Sequence, residues 1–332
     1  MVVALGVAAY RVMKWAEAPV VSDQDHPPSK VVTIPDRSTF FQVATLLEQE
    51  GLIKSRSAFV LLGRSQSADR RIRAGEYELN AAMAPAEILA KLLSGQVVLH
   101  PITIPEGLTM VQIAALLEQH EVAERADFLG LARDGSFIAS LGLKVDSLEG
   151  YLYPDTYKFP KGIRTKDIVA TMVEHFRQAY RPELKARADD MKMTQHEVVT
   201  LASVIEKETG ADAERAEISA VFHNRLRKRI PLQSDPTVIY GLTGFDGNIR
   251  KKDLSSPSPY NTYRVVGLPP GPIASPGLRA IEAALYPSNS RALYFVSRND
   301  GTHQFSSTLS EHNQAVERYQ KRPFRRGALP RT

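Results

Sequence analysis

The chain has 332 residues, 43% hydrophobic content and a formal net charge of +5. That length allows one large domain or two modest ones, and the composition excludes wholesale disorder. The mild positive charge, with no Arg-rich arm interleaved with aromatics, does not indicate nucleic-acid binding, and zero cysteine excludes disulfides, thiolate zinc sites and cysteine nucleophiles.

The chain opens on "MVVALGVAAY" (1–10), apolar throughout, before Arg11 and Lys14 interrupt the run. A membrane-spanning helix needs ~20 largely apolar residues. A signal peptide needs a basic leader and a small-residue cleavage site. Residues 1–20 therefore read as the remnant of a membrane anchor, with a short buried helix as the alternative. The polar stretch 21–30 reads as a linker.

An internal repeat follows. "VTIPDRSTFFQVATLLEQEG" (32–51) matches "ITIPEGLTMVQIAALLEQHE" (102–121) at a constant offset of 70. Each copy has a short β-branched strand, a proline turn and a helix with apolar residues at helical spacing: Phe40, Val43, Ala44, Leu46 and Leu47 in the first, Met110, Ile113, Ala114, Leu116 and Leu117 in the second. Second helices are expected around 57–64 and 126–133, a strand at 72–80 and a helix at 84–96. This β-α-α-β grammar over 31–146 resembles LysM-like sugar-binding units. The matching carboxylates Glu48 and Glu118 read as solvated helix faces.

A larger unit is expected over 147–322, with a basic tail at 323–332. Aromatics at 151, 153, 157 and 159 alternate as on a strand or an extended rim. Helices are expected near 165–180, 194–209 and 212–229, then Pro- and Gly-rich loops, a strand at 292–298 and a helix near 309–321. The basic runs at 225–229 and 321–327 read as a solvated helix end and a tail. Helices dominate and strands are scattered, so the fold class is α+β.

The helix over 194–209 carries the chemical question. "TQHE" (194–197) is a capping box, and the residues behind it are apolar nearly all round, which predicts a buried helix. It ends in "IEKET", where Glu206 and Glu208 point about 200° apart and cannot share one pocket. A carboxylate on a buried helix is costly unless it is paired or keeps its proton. A proton kept near neutrality is what a general acid for glycoside cleavage requires. The plain alternative is a glutamate tied to Arg215 or Arg225, and periodicity leaves both readings open.

Other chemistries fail on their spacing. "HEVVT" (196–200) lacks the second histidine of a zinc hydrolase, and no G-x-S-x-G, Walker loop or G-x-G-x-x-G occurs. His223, His303 and His312 have no mutual metal-ligand spacing, so no metal is expected.

Taken in order, "EGYLYPDTY" (149–157), "LASVIEKET" (201–209), "FHNRL" (222–226), "LQSDPTVIYG" (232–241), "YNTY" (260–263), "GLPPGPIASPG" (267–277) and "GTHQFSSTLSEHN" (301–313) resemble the YceG-like family of endolytic murein transglycosylases. The resemblance implies a bacterial inner-membrane enzyme with one N-terminal span and its catalytic domain outside the membrane. Such an enzyme cuts peptidoglycan glycan strands to leave 1,6-anhydro ends, without a cofactor. It also implies partnership with penicillin-binding synthases of the elongation and division machinery. Carried over, the catalytic residue is the first glutamate of that helix, Glu206. Glu149, Tyr153, Gln233, Asp235, Tyr260 and Asn261 become substrate-groove candidates. Tyr153 and Tyr260 read equally as core residues, and Asn261 as the fixer of a turn beside Pro259. The loop 267–277 is expected to shape a groove wall. A non-catalytic wall-binding scaffold and a water-using muramidase remain the alternatives.

Overall fold

The computed structural model describes residues 11–22, 27–68 and 71–321. The anchor expected over 1–20 and the linker over 21–30 fall partly, and the tail over 323–332 wholly, outside the described residues. Among the described residues no helix is long and apolar enough to cross a membrane. The class is mixed α+β, mostly helical, with three two-stranded sheets.

The chain forms two compact units. One comprises Met1–Ile102 with Lys158–Ile163, the other Thr103–Tyr157 with Arg164–Thr332. The two copies of the sequence repeat thus fall in different units, although the sequence placed them together in 31–146.

In the first unit, β1 (Lys30–Ile34) leads into α1 (Phe40–Gln49), followed by α2 (Arg56–Ser65), β2 (Gly75–Leu79) and α3 (Pro85–Ser94). β1 and β2 pair antiparallel with Val32 opposite Tyr77. The strands and helices close on one core through Val32, Phe40, Leu47, Phe59, Tyr77 and Leu89. β3 (Leu99–Thr103) ends this stretch.

The second copy supplies α4 (Met110–Gln119) to the other unit, where it packs on α5 (Arg125–Leu131). The copies are alike down to their caps: Thr39 with Gln42 and Thr109 with Gln112 each close a capping box. Glu48 and Glu118 are not merely solvated faces. Each accepts the first backbone N–H of the next helix, from Arg56 at 2.9 Å and from Arg125 at 3.3 Å.

The rest of this unit is α6 (Gly135–Ser140), the first two residues of β4 (Thr156–Pro160), whose remainder falls in the first unit, α7 (Thr165–Ala179), α8 (Pro182–Asp190), α9 (Gln195–Glu208), α10 (Arg215–Lys228), α11 (Asp235–Tyr240), α12 (Leu278–Leu285), the hairpin β5 (Tyr294–Ser297) and β6 (His303–Ser306), and α13 (Leu309–Val316). The buried α9 sits at the centre, with α10, α11 and α12 packed on it. Val198, Val199, Leu201, Ala202, Val204 and Ile205 are all buried, as the apolar run predicts. Only Thr156–Pro160 of the aromatic alternation is strand. Tyr151 lies in a turn, buried edge-on against Phe176 with ring centroids 5.0 Å apart.

That turn depends on Gly150. Its φ is +82°, and an added Cβ would lie 2.5 Å from Pro272 and 3.0 Å from Val199. A left-handed backbone costs an L-residue ~1–2 kcal/mol and an overpacked core ~1–3 kcal/mol more. Gly150→Ala is therefore expected to lose ~2–5 kcal/mol of stability, read as a lower urea midpoint with an unchanged slope.

Candidate active site

The two glutamates at the end of α9 face different surroundings, as their spacing requires. Glu206 accepts a hydrogen bond from the Gly277 N–H, at the start of α12, at 3.1 Å. It also lies 3.4 Å from the Arg215 guanidinium, a long pair between side chains that are each only 9% exposed. Arg215 divides its charge, holding Asp212 at 3.0 Å. Burial raises the Glu206 pKa, opposed by the Gly277 N–H and Arg215 and reinforced by the nearby carboxylates Glu106 and Asp212. Glu106 packs on Gly277 so closely that a Cβ there would meet its carboxylate at 1.8 Å. The half-buried Tyr153 joins this group through the Leu278 backbone N–H. Sequence reasoning missed Glu106; its signal was the "PEG" turn of the second repeat copy, where the first copy has "PDR".

Glu208 faces a cavity of about 430 Å³. Its walls include Gln233, Asp235, Tyr263, Tyr294 and His312. By surface area Glu208 is half-buried, yet it lies deep, with protein on nearly every side. The Ser234 hydroxyl donates to Glu208 Oε1 at 2.6 Å. Burial is the main cause that pushes this carboxyl up to about 7, and the Asp235 charge adds to it, while Ser234 and His303 pull the other way. Tyr263 OH donates to Asp235 Oδ1 at 2.7 Å. The His312 ring stacks on Tyr294 at 5.1 Å, and its buried Nδ1 has no partner.

Arg225, read from sequence as part of a solvated helix end, instead builds the cavity. It is buried and donates to the carbonyls of Leu293 at 2.6 Å and of Pro231 and Leu232 at 3.1 Å, and to Gln233 Oε1 at 3.1 Å. Gln233 sits at φ +50°, a left-handed conformation held by these bonds and by its own N–H to Thr262 O at 3.0 Å.

The remaining groove candidates are tied up inside the protein. Glu149, 2% exposed, caps α4 by accepting from the Met110 N–H at 2.9 Å and also accepts from Tyr240 OH at 3.1 Å. Burial pushes its carboxyl up to about 7. Asn261, fully buried, donates to the carbonyls of Leu254 at 3.0 Å and Ser256 at 2.8 Å and accepts from the Tyr263 N–H, fixing a turn. Tyr260 is half-buried against Tyr240, with centroids 4.8 Å apart. The structure thus brings Gln233 and Asp235 together beside Glu208, places Tyr153 near Glu206, and puts Glu149, Tyr260 and Asn261 in a separate cluster and turn.

Known proteins resemble this chain along most of its length. An endolytic murein transglycosylase from Bacillus subtilis strain 168 is 36% identical over 307 residues, covering 87% of this chain and 84% of that protein. One from Streptococcus pneumoniae serotype 2 strain D39 is 30% identical over 317 residues, where the match covers 57% of that longer protein. A crystal structure of a YceG-like protein from Listeria monocytogenes superposes with a TM-score of 0.60 at 36% identity, covering 86% of this chain and 98% of that one. The profile of the YceG-like family itself matches residues 32–318, and the chain belongs to that family.

Proposed function

We propose that the chain is an endolytic murein transglycosylase, cutting peptidoglycan between N-acetylmuramic acid and N-acetylglucosamine, with Glu208 as its acid and base. The relatives named for that activity support the reaction. The observation that carries the residue is the cavity that brings Glu208 together with Gln233 and Asp235 of a second motif.

With its carboxyl pushed up to about 7, Glu208 keeps a proton near neutrality. It gives that proton to the glycosidic oxygen as the C1–O bond breaks and positive charge grows on the anomeric carbon. The Asp235 carboxylate stabilises that charge through space. The muramoyl 6-hydroxyl then attacks C1 and returns its proton to Glu208. The nucleophile belongs to the same sugar, so no water is consumed and little entropy is lost on attack.

A second reading keeps the assignment drawn from the family resemblance, with Glu206 as the acid. Its raised pKa and the adjacent Glu106 favour it. Its long pair with Arg215 and its bond from Gly277 weigh against it, because both favour the carboxylate form.

The wider arrangement belongs to the same proposal. The LysM-like repeats over 31–146 would hold glycan, the catalytic region would span 147–322, and the N-terminus would hold the protein at the bacterial inner membrane beside penicillin-binding synthases.

Mass analysis of products from intact glycan strands tests the reaction. Anhydro ends, one water lighter than reducing ends, are the expected product. Hydrolytic ends would make the protein a muramidase with Asp235 as base, and the absence of cleavage would leave a wall-binding scaffold.

A further inference from the structure

A second cavity, about 630 Å³, opens along the first half of α9 and is not used by the chemistry above. The loop 267–270 forms one wall and is pinned by His196, whose Nε2–H donates to Pro270 O at 2.9 Å while Nδ1 accepts from Tyr151 OH at 3.0 Å. Much of the lining is apolar, from Met191, Met193 and Leu268. Glu197 and Arg227 also line it, and two further polar groups keep unused hydrogen-bonding capacity. Thr200, 1% exposed, carries a buried hydroxyl with no hydrogen-bond partner. His223 spends its Nε2–H on Ala284 O at 2.8 Å, which leaves Nδ1 as a lone-pair acceptor. Burial lowers the His223 pKa, with Arg227 and Arg187 adding to it against the opposing bond to Ala284 O, and the net lowering favours the neutral ring and that acceptor.

One donor, one acceptor and an apolar surface match the acetamido group: a carbonyl, an N–H and a methyl. An orphaned buried hydroxyl is unfavourable until a ligand oxygen meets it. Thr200 precedes Glu208 by eight residues on the same helix, ~12 Å along the axis and about a quarter turn around it. A strand of a few sugar rings spans that distance. We infer that this cavity is a distal subsite for an N-acetylated sugar ring of the strand, holding a ring away from the scissile bond. This rests on the transglycosylase reading for its substrate class.

The test uses the full chain with Glu208→Gln, titrated with oligomers of N-acetylglucosamine and followed by calorimetry. Thr200→Val and Leu268→Asp are each expected to weaken binding about tenfold, and Thr200→Ser, which keeps the hydroxyl, to restore it. With Glu208 intact, the same changes raise KM for long strands and leave kcat unchanged. Unaltered affinity in both variants overturns the inference, as does binding only of strands that carry peptide stems. Failure of the catalytic reading looks different, since Glu208→Gln would then still turn over while oligomer affinity kept its dependence on Thr200.

Discussion

Glu208→Gln is expected to fold normally and to lower glycan-strand turnover by about 10²–10⁴-fold, the usual contribution of a general acid. The amide keeps the Ser234 contact and fills the same volume, so the loss is in proton transfer. Glu206→Gln is expected to keep turnover within about tenfold and mainly to loosen the joint among α9, Arg215 and α12. The opposite ranking, measured as product release per enzyme, assigns the acid to Glu206. The pH dependence gives an independent sign. Glu208 must hold its proton to act, so turnover should fall about tenfold per unit as pH rises beyond about 7. The folded pKa lies above the unfolded value of 4.5. Its stabilising share is therefore complete below pH 4.5 and is lost as pH rises to about 7, a slope that Glu208→Gln removes.

Arg225→Met is expected to cost ~3 kcal/mol or more, because three main-chain carbonyls and the Gln233 amide lose their donor at once. Chemical denaturation measures the loss. Activity should fall with it, since the freed segment 231–233 and the start of β5 are walls of the Glu208 cavity. Lys228→Met, an exposed cation on the same basic run, should stay within ~0.5 kcal/mol of the parent. Equal effects from the two would mean that Arg225 acts only as surface charge.

Much of this could be read from the chain because its signals are local. The offset of 70 between the copies gives two helices with identical boundaries and caps. The Thr194 capping box and the apolar run behind it give α9 and its burial. What escaped depends on distant partners. Helical spacing separates Glu206 from Glu208 but cannot say which faces a cavity, because those walls come from Gln233, Tyr263 and His312. Glu149 and Asn261 look like substrate contacts in a motif, yet their bonds go to Met110, Tyr240, Leu254 and Ser256. The short α8 and α12 were missed: one is largely charged, and the other is only eight residues long behind a Pro- and Gly-rich loop.

Glu208 is the last residue of α9, and its position there matters. The carbonyls of the final turn converge at that end and give it a partial negative charge, which repels an ionised carboxyl. Thr209 answers only some of them, its hydroxyl bonding Ile205 O at 2.7 Å. The grip on the proton is therefore borrowed from the winding of the terminal turn as well as from its dry surroundings. Fraying of that one turn would release the proton to solvent and, if Glu208 is the acid as proposed, silence it while the rest of the molecule stayed folded.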